Sequence, residues 1–305
     1  MWHNWSKRKR WLISLATVLV LGAVAAAGTA YYFLHVPGLP VPAGVTKRTQ
    51  SVTLTGQPVK VDFYLPSSSG PAPLVIIAHG FSRNRKTMAG WGGMLAAHGF
   101  LAVVPDMPTL ADHARNGRAV AELLARVQAG ELIPQPKPNG PAALVGFSAG
   151  GLSTLLAAGG NTNVACWVGL DPVAMGAAAT QAAESLRIPC FVLRAEPASW
   201  NANGTARRTF MSLPGPAFML AVKQATHVDA ECPTSLAADW ICGQSDPARR
   251  EVFGRYLLAS VQVGLLRDQA AFRQLESATN DAAAREVIFR NPDGFQATRY
   301  NPANH

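Results

Sequence analysis

The chain has 305 residues, of which 49% are hydrophobic and 15% charged, and its net charge is +9. This is the composition of a globular protein with a sizeable core, in one large domain or two small ones. The charge surplus comes without a basic patch interleaved with aromatics, which argues against a nucleic-acid partner.

Residues 1–10 form a short basic segment in which Lys7, Arg8, Lys9 and Arg10 carry four of the positive charges. The next 24 residues, 11–34, carry none. At ~1.5 Å per residue such a helix spans the ~30 Å hydrocarbon core of a bilayer. Trp5, Trp11, Tyr31 and Tyr32 flank the run as interfacial aromatics do. The expectation is a single-pass signal anchor, with its basic end in the cytoplasm and the rest of the chain on the extracytoplasmic side. Gly28-Thr29-Ala30 is a small-residue site that a signal peptidase could accept, and cleavage there would leave a secreted or periplasmic domain.

Residues 35–48, rich in Pro and Gly, read as a linker, and a single domain is expected over 49–282. Ser51–Thr55 and Val59–Leu65 alternate around Gly56-Gln57-Pro58, as in an antiparallel hairpin. Strands and helices then alternate, the pattern of a largely parallel sheet. The strands are Leu74–Ala78, Phe100–Pro105, Ala142–Phe147, Val164–Leu170, Cys190–Arg194 and Ala217–Val222. Helical spacing runs over Lys86–His98, Asn116–Ala129 and Leu152–Ala158, with a closing helix over Arg249–Leu266. Residues 283–305 read as a polar tail. There is no internal repeat and no insertion long enough for a large lid.

The chemistry centres on Gly146-Phe147-Ser148-Ala149-Gly150, a Gly-x-Ser-x-Gly run with a buried strand before it and a helix after it. A serine on such a strand-to-helix turn stands proud of the sheet edge. The helix N-terminus behind it favours the negative charge that develops in acyl transfer. A serine hydroxyl needs a base, usually a histidine oriented by a carboxylate. Only His227 and the terminal His305 follow both the serine and a candidate acid, and His227 lies just past the last strand. Two carboxylates end strands on the same side of the sheet: Asp171, in Gly169-Leu170-Asp171-Pro172-Val173, and Glu196, in Leu193-Arg194-Ala195-Glu196. The oxyanion would be held by the N–H of Ala149 and by that of Phe81, in His79-Gly80-Phe81-Ser82. His79, ahead of the serine, reads as a structural hydrogen-bonder. Phe81, Trp91, Phe147 and Trp200 are candidates for an apolar pocket, and each could equally be core.

His79-Gly80-Phe81, Gly146-x-Ser148-x-Gly150 and the late His227 resemble the α/β-hydrolase fold over about residues 50–266, implying a mostly parallel sheet with helices on both faces. Three stretches resemble the chlorophyllase and platelet-activating-factor acetylhydrolase-like branch: Gly169-Leu170-Asp171-Pro172-Val173, Pro214-Gly215-Pro216-Ala217-Phe218 and Thr226-His227-Val228-Asp229. In that branch the aspartate of the first stretch is the acid, so the resemblance implies Asp171, with Glu196 as the alternative. The chain departs from it at Phe147, where the branch usually has histidine, and at Thr226, where it has glycine.

The function expected is a serine esterase acting through Ser148, Asp171 and His227, on a small-molecule or lipid ester. The alternatives are a membrane-associated lipase or phospholipid acyl hydrolase, and a catalytically idle binding module on the same fold. No metal-ligand spacing and no phosphate-binding loop occurs, so no cofactor is expected. Cys166 and Cys190 read as buried thiols, while export permits a disulfide between Cys232 and Cys242 that would brace the loop after His227.

Overall fold

The computed structural model describes residues 7–68, 70–133 and 135–295, without the side chains of residues 7–15 and 18. Helix α1 spans Lys7–Leu34. Strands β1 (Thr46–Leu54) and β2 (Gln57–Leu65) pair antiparallel around Thr55-Gly56, both at positive φ, the two-residue turn that matches strand twist. The turn therefore falls one residue earlier than the sequence suggests, and Pro58 is the second residue of β2, outside the part that pairs with a second neighbour.

From there the chain alternates as expected: β3 (Leu74–Ala78), α2 (Ala89–Ala97), β4 (Leu101–Pro105), α3 (His113–Gln128), β5 (Ala142–Phe147) and α4 (Ala149–Ala158). It continues through β6 (Val164–Leu170), α5 (Ala177–Ser185), β7 (Cys190–Arg194), α6 (Thr205–Ser212) and β8 (Ala217–Val222). Helices α7 (Leu236–Cys242), α8 (Pro247–Val261) and α9 (Gln269–Ser277) precede β9 (Ala284–Arg290). The strands form one sheet in the order β1-β2-β4-β3-β5-β6-β7-β8-β9. The six from β4 to β8 run parallel, and β1, β2 and β9 bring antiparallel pairings at the edges.

Alternation along the strands splits the core in two. In β3, Val75 and Ile77 face α2, α8 and α9, where Trp91, Leu95, Phe253 and Phe272 are buried. Leu74 and Ile76 face α3, α4 and α6, against Val120, Leu123, Leu155 and Phe210. Strands with both faces covered read as continuous apolar runs, which is why the central ones are plain in the sequence.

Two boundaries and one cysteine pair differ from expectation. The domain starts at Thr46, within the expected linker, because β1 begins five residues before the strand expected from Ser51 and Val36 is already buried. The expected polar tail begins with a strand: Val287 and Phe289 of β9 alternate toward the core, Phe289 packs at a tilt against Phe218 with ring centroids 4.9 Å apart, and Phe295 is buried. Residues 296–305 lie outside the described residues. Cys232 and Cys242 are both thiols rather than a disulfide. Cys232 is turned onto Gly90 at the start of α2, where a Cβ would stand 2.2 Å from its sulfur, whereas Cys242 ends α7.

The described side chains of α1 from Leu19 to Leu34 are exposed, and its end packs against α7. Taken over the described residues, no helix is long and apolar enough to cross a membrane. The crossing expected of residues 11–34 rests in part on side chains outside that description.

Candidate active site

Ser148 sits between β5 and α4 at φ 52°, ψ −122°, a strained conformation for a non-glycine residue. Close contact makes the turn possible. A Cβ on Gly146 would fall 2.3 Å from Thr154 Oγ1 and 2.4 Å from the Gly150 carbonyl, and one on Gly150 would fall 2.4 Å from the His79 carbonyl. Only glycine fits either position. The Ser148 carbonyl accepts from Gly151 N at 2.9 Å and from Val173 N at 3.0 Å, tying the turn to the chain after β6.

Three residues distant in sequence meet here. His227 Nε2 lies 2.9 Å from Ser148 Oγ, and His227 Nδ1 lies 2.6 Å from Asp171 Oδ2. All three side chains are buried, and Asp171 fully so. Asp171 follows the last residue of β6, where its N–H donates to the Leu193 carbonyl at 2.6 Å. Its Oδ1 accepts from Ala195 N at 3.0 Å, and its Oδ2 also accepts from Asn201 Nδ2 at 3.0 Å. With three donors around it, the carboxylate is held in one orientation.

Glu196, the alternative acid, points elsewhere. Its carboxylate accepts from Arg285 Nη1 at 2.5 Å and from Gln224 N at 2.9 Å, and these bonds hold it below the usual carboxylate range. His305 lies outside the described residues. Asp229, next but one to His227, accepts from Thr226 N (2.7 Å), Arg249 Nε (2.6 Å) and Asp246 N (2.7 Å), and so braces the histidine loop.

The loop after β3 brings Phe81 to the same place. Phe81 and Ala149 line one cavity of about 150 Å³ together with Arg83, Thr109, Leu110 and His113. Ala149 is the first residue of α4, so its N–H has no intrahelical partner. The Phe81 N–H likewise finds none among the described residues. His79 fastens the loop from below. Its Nε2 accepts from Met107 N at 2.9 Å, which leaves the proton on Nδ1 to donate to the Gly80 carbonyl at 2.9 Å. Burial pushes this imidazole below its ordinary value of 6.5, against the pull of that carbonyl and of Asp106, so it is neutral.

Of the four aromatics weighed for a pocket, only Phe81 lines the cavity, with half of its surface exposed. Phe147 packs its ring on His227, with centroids 4.7 Å apart, and fills the side of the imidazole. Trp91 is core and donates from Nε1 to the Ala230 carbonyl at 2.8 Å, while Trp200 is exposed. Sequence reasoning missed Asn201, whose amide links Asp171 to the Glu196 carbonyl (2.8 Å) and accepts from Ala198 N (2.8 Å) and Gly204 N (3.0 Å). It missed also the pair of Arg83 with the fully buried Glu231. Neither stands in a motif, and only the fold brings each to its partner. Among the described residues no group of three His, Cys, Asp or Glu side chains is placed to hold a metal ion.

The model of the Alpha/beta hydrolase family matches residues 75–292, which takes in β3 to β9 and every residue of this site. No curated protein matches the chain.

Proposed function

The chain belongs to the alpha/beta hydrolase family, whose members are generally hydrolases of small molecules, and from that premise we propose that it is a serine hydrolase cleaving carboxylic esters. One observation carries the reading: an unbroken hydrogen-bonded series from Asp171 through His227 to Ser148 Oγ. His227 Nε2 takes the serine proton as Oγ attacks the ester carbonyl carbon. The negative oxygen that results is met by the N–H groups of Phe81 and Ala149. His227 then returns the proton to the leaving alcohol. Water, activated by the same imidazole, attacks the acyl-serine, releases the acid and restores Oγ. Asp171 holds the ring with Nδ1 protonated and steadies the imidazolium formed in each half. An acid borne on β6 is the feature this chain shares with the chlorophyllase and platelet-activating-factor acetylhydrolase-like branch, and we place it there. Esters are preferred to amides by analogy with this architecture.

The exposed apolar side chains of α1, among them Leu19, Val20, Leu21 and Val24, support a membrane anchor, since lipid would remove them from water. The domain would then stand on the extracytoplasmic side. A membrane fraction that keeps the protein through alkaline carbonate washing is the expected result, and release into the wash would end the anchor reading.

A fluorophosphonate probe tests the chemistry. The protein should label and turn over p-nitrophenyl acetate, and Ser148→Ala should do neither. A folded wild-type protein that neither labels nor hydrolyses would instead be an idle binding module.

A further inference from the structure

The large apolar side chains left open to water are unevenly placed on this domain. The parallel strands all end on the side of the sheet where Ser148 lies, and the loops that follow them carry Phe81 after β3, Leu110 after β4, Met175 after β6 and Trp200 after β7, each exposed. Helix α7, after β8, adds Trp240 and Ile241, and Trp240 is 83% exposed. Away from this end, and apart from α1 and the segment joining it to the domain, the exposed large apolar residues among those described are Met211 and Leu266. The loops are also poor in charge: residues 172–183 and 197–206 contain no acidic or basic side chain. Scattered apolar residues are ordinary on a surface, but a group gathered at one end marks a contact.

The loops that bear them are joined around the triad. Phe81 and Leu110 line one cavity. Arg83, two residues after Phe81, donates to Thr234 Oγ1 at 3.0 Å and to Ser235 Oγ at 3.4 Å, at the entry to α7. Asn201, next to Trp200, donates to Asp171, and the loop from Asp171 leads to Met175.

The placement of α1 identifies what covers this end. Helix α1 packs against α7, and Tyr32 and His35 at its end share a groove with Leu236 and Asp239 of α7. The helix read above as a membrane anchor therefore joins the domain at its catalytic end, beside the helix that presents Trp240 and Ile241. Tryptophan and tyrosine are favoured at the boundary between lipid and water, and apolar side chains gain by entering the region between headgroups and chains. The ester carbonyls of membrane lipids lie in that same region.

Resting on the ester-hydrolase and anchor readings above, we propose that the catalytic end lies against the bilayer holding α1, and that the substrate is an acyl ester drawn from that lipid.

Full-length protein is reconstituted in vesicles of dioleoylphosphatidylcholine with dioleoylglycerol, with or without brominated acyl chains, which quench indoles within the bilayer. Wild type is compared with Trp240→Phe, so that the difference isolates Trp240 from the other tryptophans. That difference emission should be quenched in the brominated vesicles; emission of equal strength in both kinds of vesicle overturns the docking. Release of oleate and turnover of aqueous p-nitrophenyl acetate are then measured for wild type and for Met175→Ser combined with Trp240→Ser. The double variant should lose about tenfold or more on the vesicle lipid, the effect of one lost apolar burial, and keep its rate on the soluble ester. Equal loss on both substrates, or loss on neither, overturns the proposal, as does a wild type that cleaves p-nitrophenyl acetate but releases no oleate. Should the double variant not fold, quenching of Trp240 and wild-type oleate release still decide. Two results are distinct from these: protein extracted by carbonate ends the anchor reading, and protein that neither labels with the fluorophosphonate nor cleaves either ester ends the ester-hydrolase reading, and each takes this proposal with it.

Discussion

At Asp171 the backbone and the side chain are both committed, and that is what separates it from Glu196. Its N–H extends the β6–β7 pairing and its φ is positive at 39°, which turns the carboxylate back under His227. Glu196 is the second residue after β7 and turns outward to Arg285, a half-exposed partner. On the proposed mechanism Asp171→Asn should therefore lower kcat by about three to four orders of magnitude, as loss of the orienting carboxylate does in serine triads. Glu196→Gln should change kcat less than about twofold, because it removes only a surface ion pair. Steady-state turnover of one p-nitrophenyl ester by both variants decides between the two acids. Asn201 contributes through Asp171 rather than through substrate. Asn201→Ala should lower kcat by about tenfold with KM little changed, the sign of a positioning residue, since one hydrogen bond to a charged group is lost. A matching rise in KM would place Asn201 against the substrate instead. Of these residues Ser148, His227 and both acids were legible in the sequence, because motif and chain order confine them. Asn201 was not, because nothing in its local sequence points thirty residues back to Asp171.

Two loops build the site, and ion pairs join them to each other and to the sheet. Arg83, in the loop that carries Phe81, donates from Nε to Glu231 Oε1 at 2.6 Å and from Nη2 to Glu231 Oε2 at 2.5 Å, across to the loop that carries His227. Burial works to lower the guanidinium, but the Glu231 carboxylate prevails and holds it above its ordinary value. Arg85 fastens the same loop to β2 through Asp62 at 3.0 Å and to the end of β4 through Asp106 at 2.8 Å. Removing one member of a buried pair strands the other charge, so Arg83→Met should cost about 3–5 kcal/mol in urea unfolding. Arg83→Met combined with Glu231→Met should recover most of that stability, because no lone charge remains, while leaving kcat depressed since the two loops are no longer tied. A double variant as unstable as the single one would show that the pair's packing, not its charge, is what matters. None of this was visible along the chain, where Arg83 and Glu231 stand 148 residues apart.

Over the whole molecule, the sheet's far edge and its acid response each carry an expectation. β9 covers the edge of β8 and brings Glu286 to the buried Arg194 at 2.7 Å. A chain ending at Ala282 should aggregate or melt far below one ending at Phe295, because it exposes an apolar strand edge and the rings facing Phe289. Equal thermal midpoints for the two would mean that β9 is dispensable. His79 sets part of the acid response. Its folded value lies below 6.5, so the unfolded chain takes up a proton that the folded chain refuses. Its contribution is present in full above about 6.5 and is lost as the pH falls from there toward the folded value, with a slope of at most about 1.4 kcal/mol per pH unit. Denaturant midpoints from pH 7.5 to 5 should show this fall in wild type and a flatter profile in His79→Gln. The sequence by itself determined the alternating architecture, the nucleophile turn and the late histidine, because doubly buried strands, close-packed glycines and chain order leave local marks. Only the tertiary structure showed which carboxylate meets His227, the amide behind it, the clamp between the two loops, the ninth strand and the free thiols. Each of those depends on groups that meet through register and packing across the sheet, and such meetings leave no mark on the sequence around either partner.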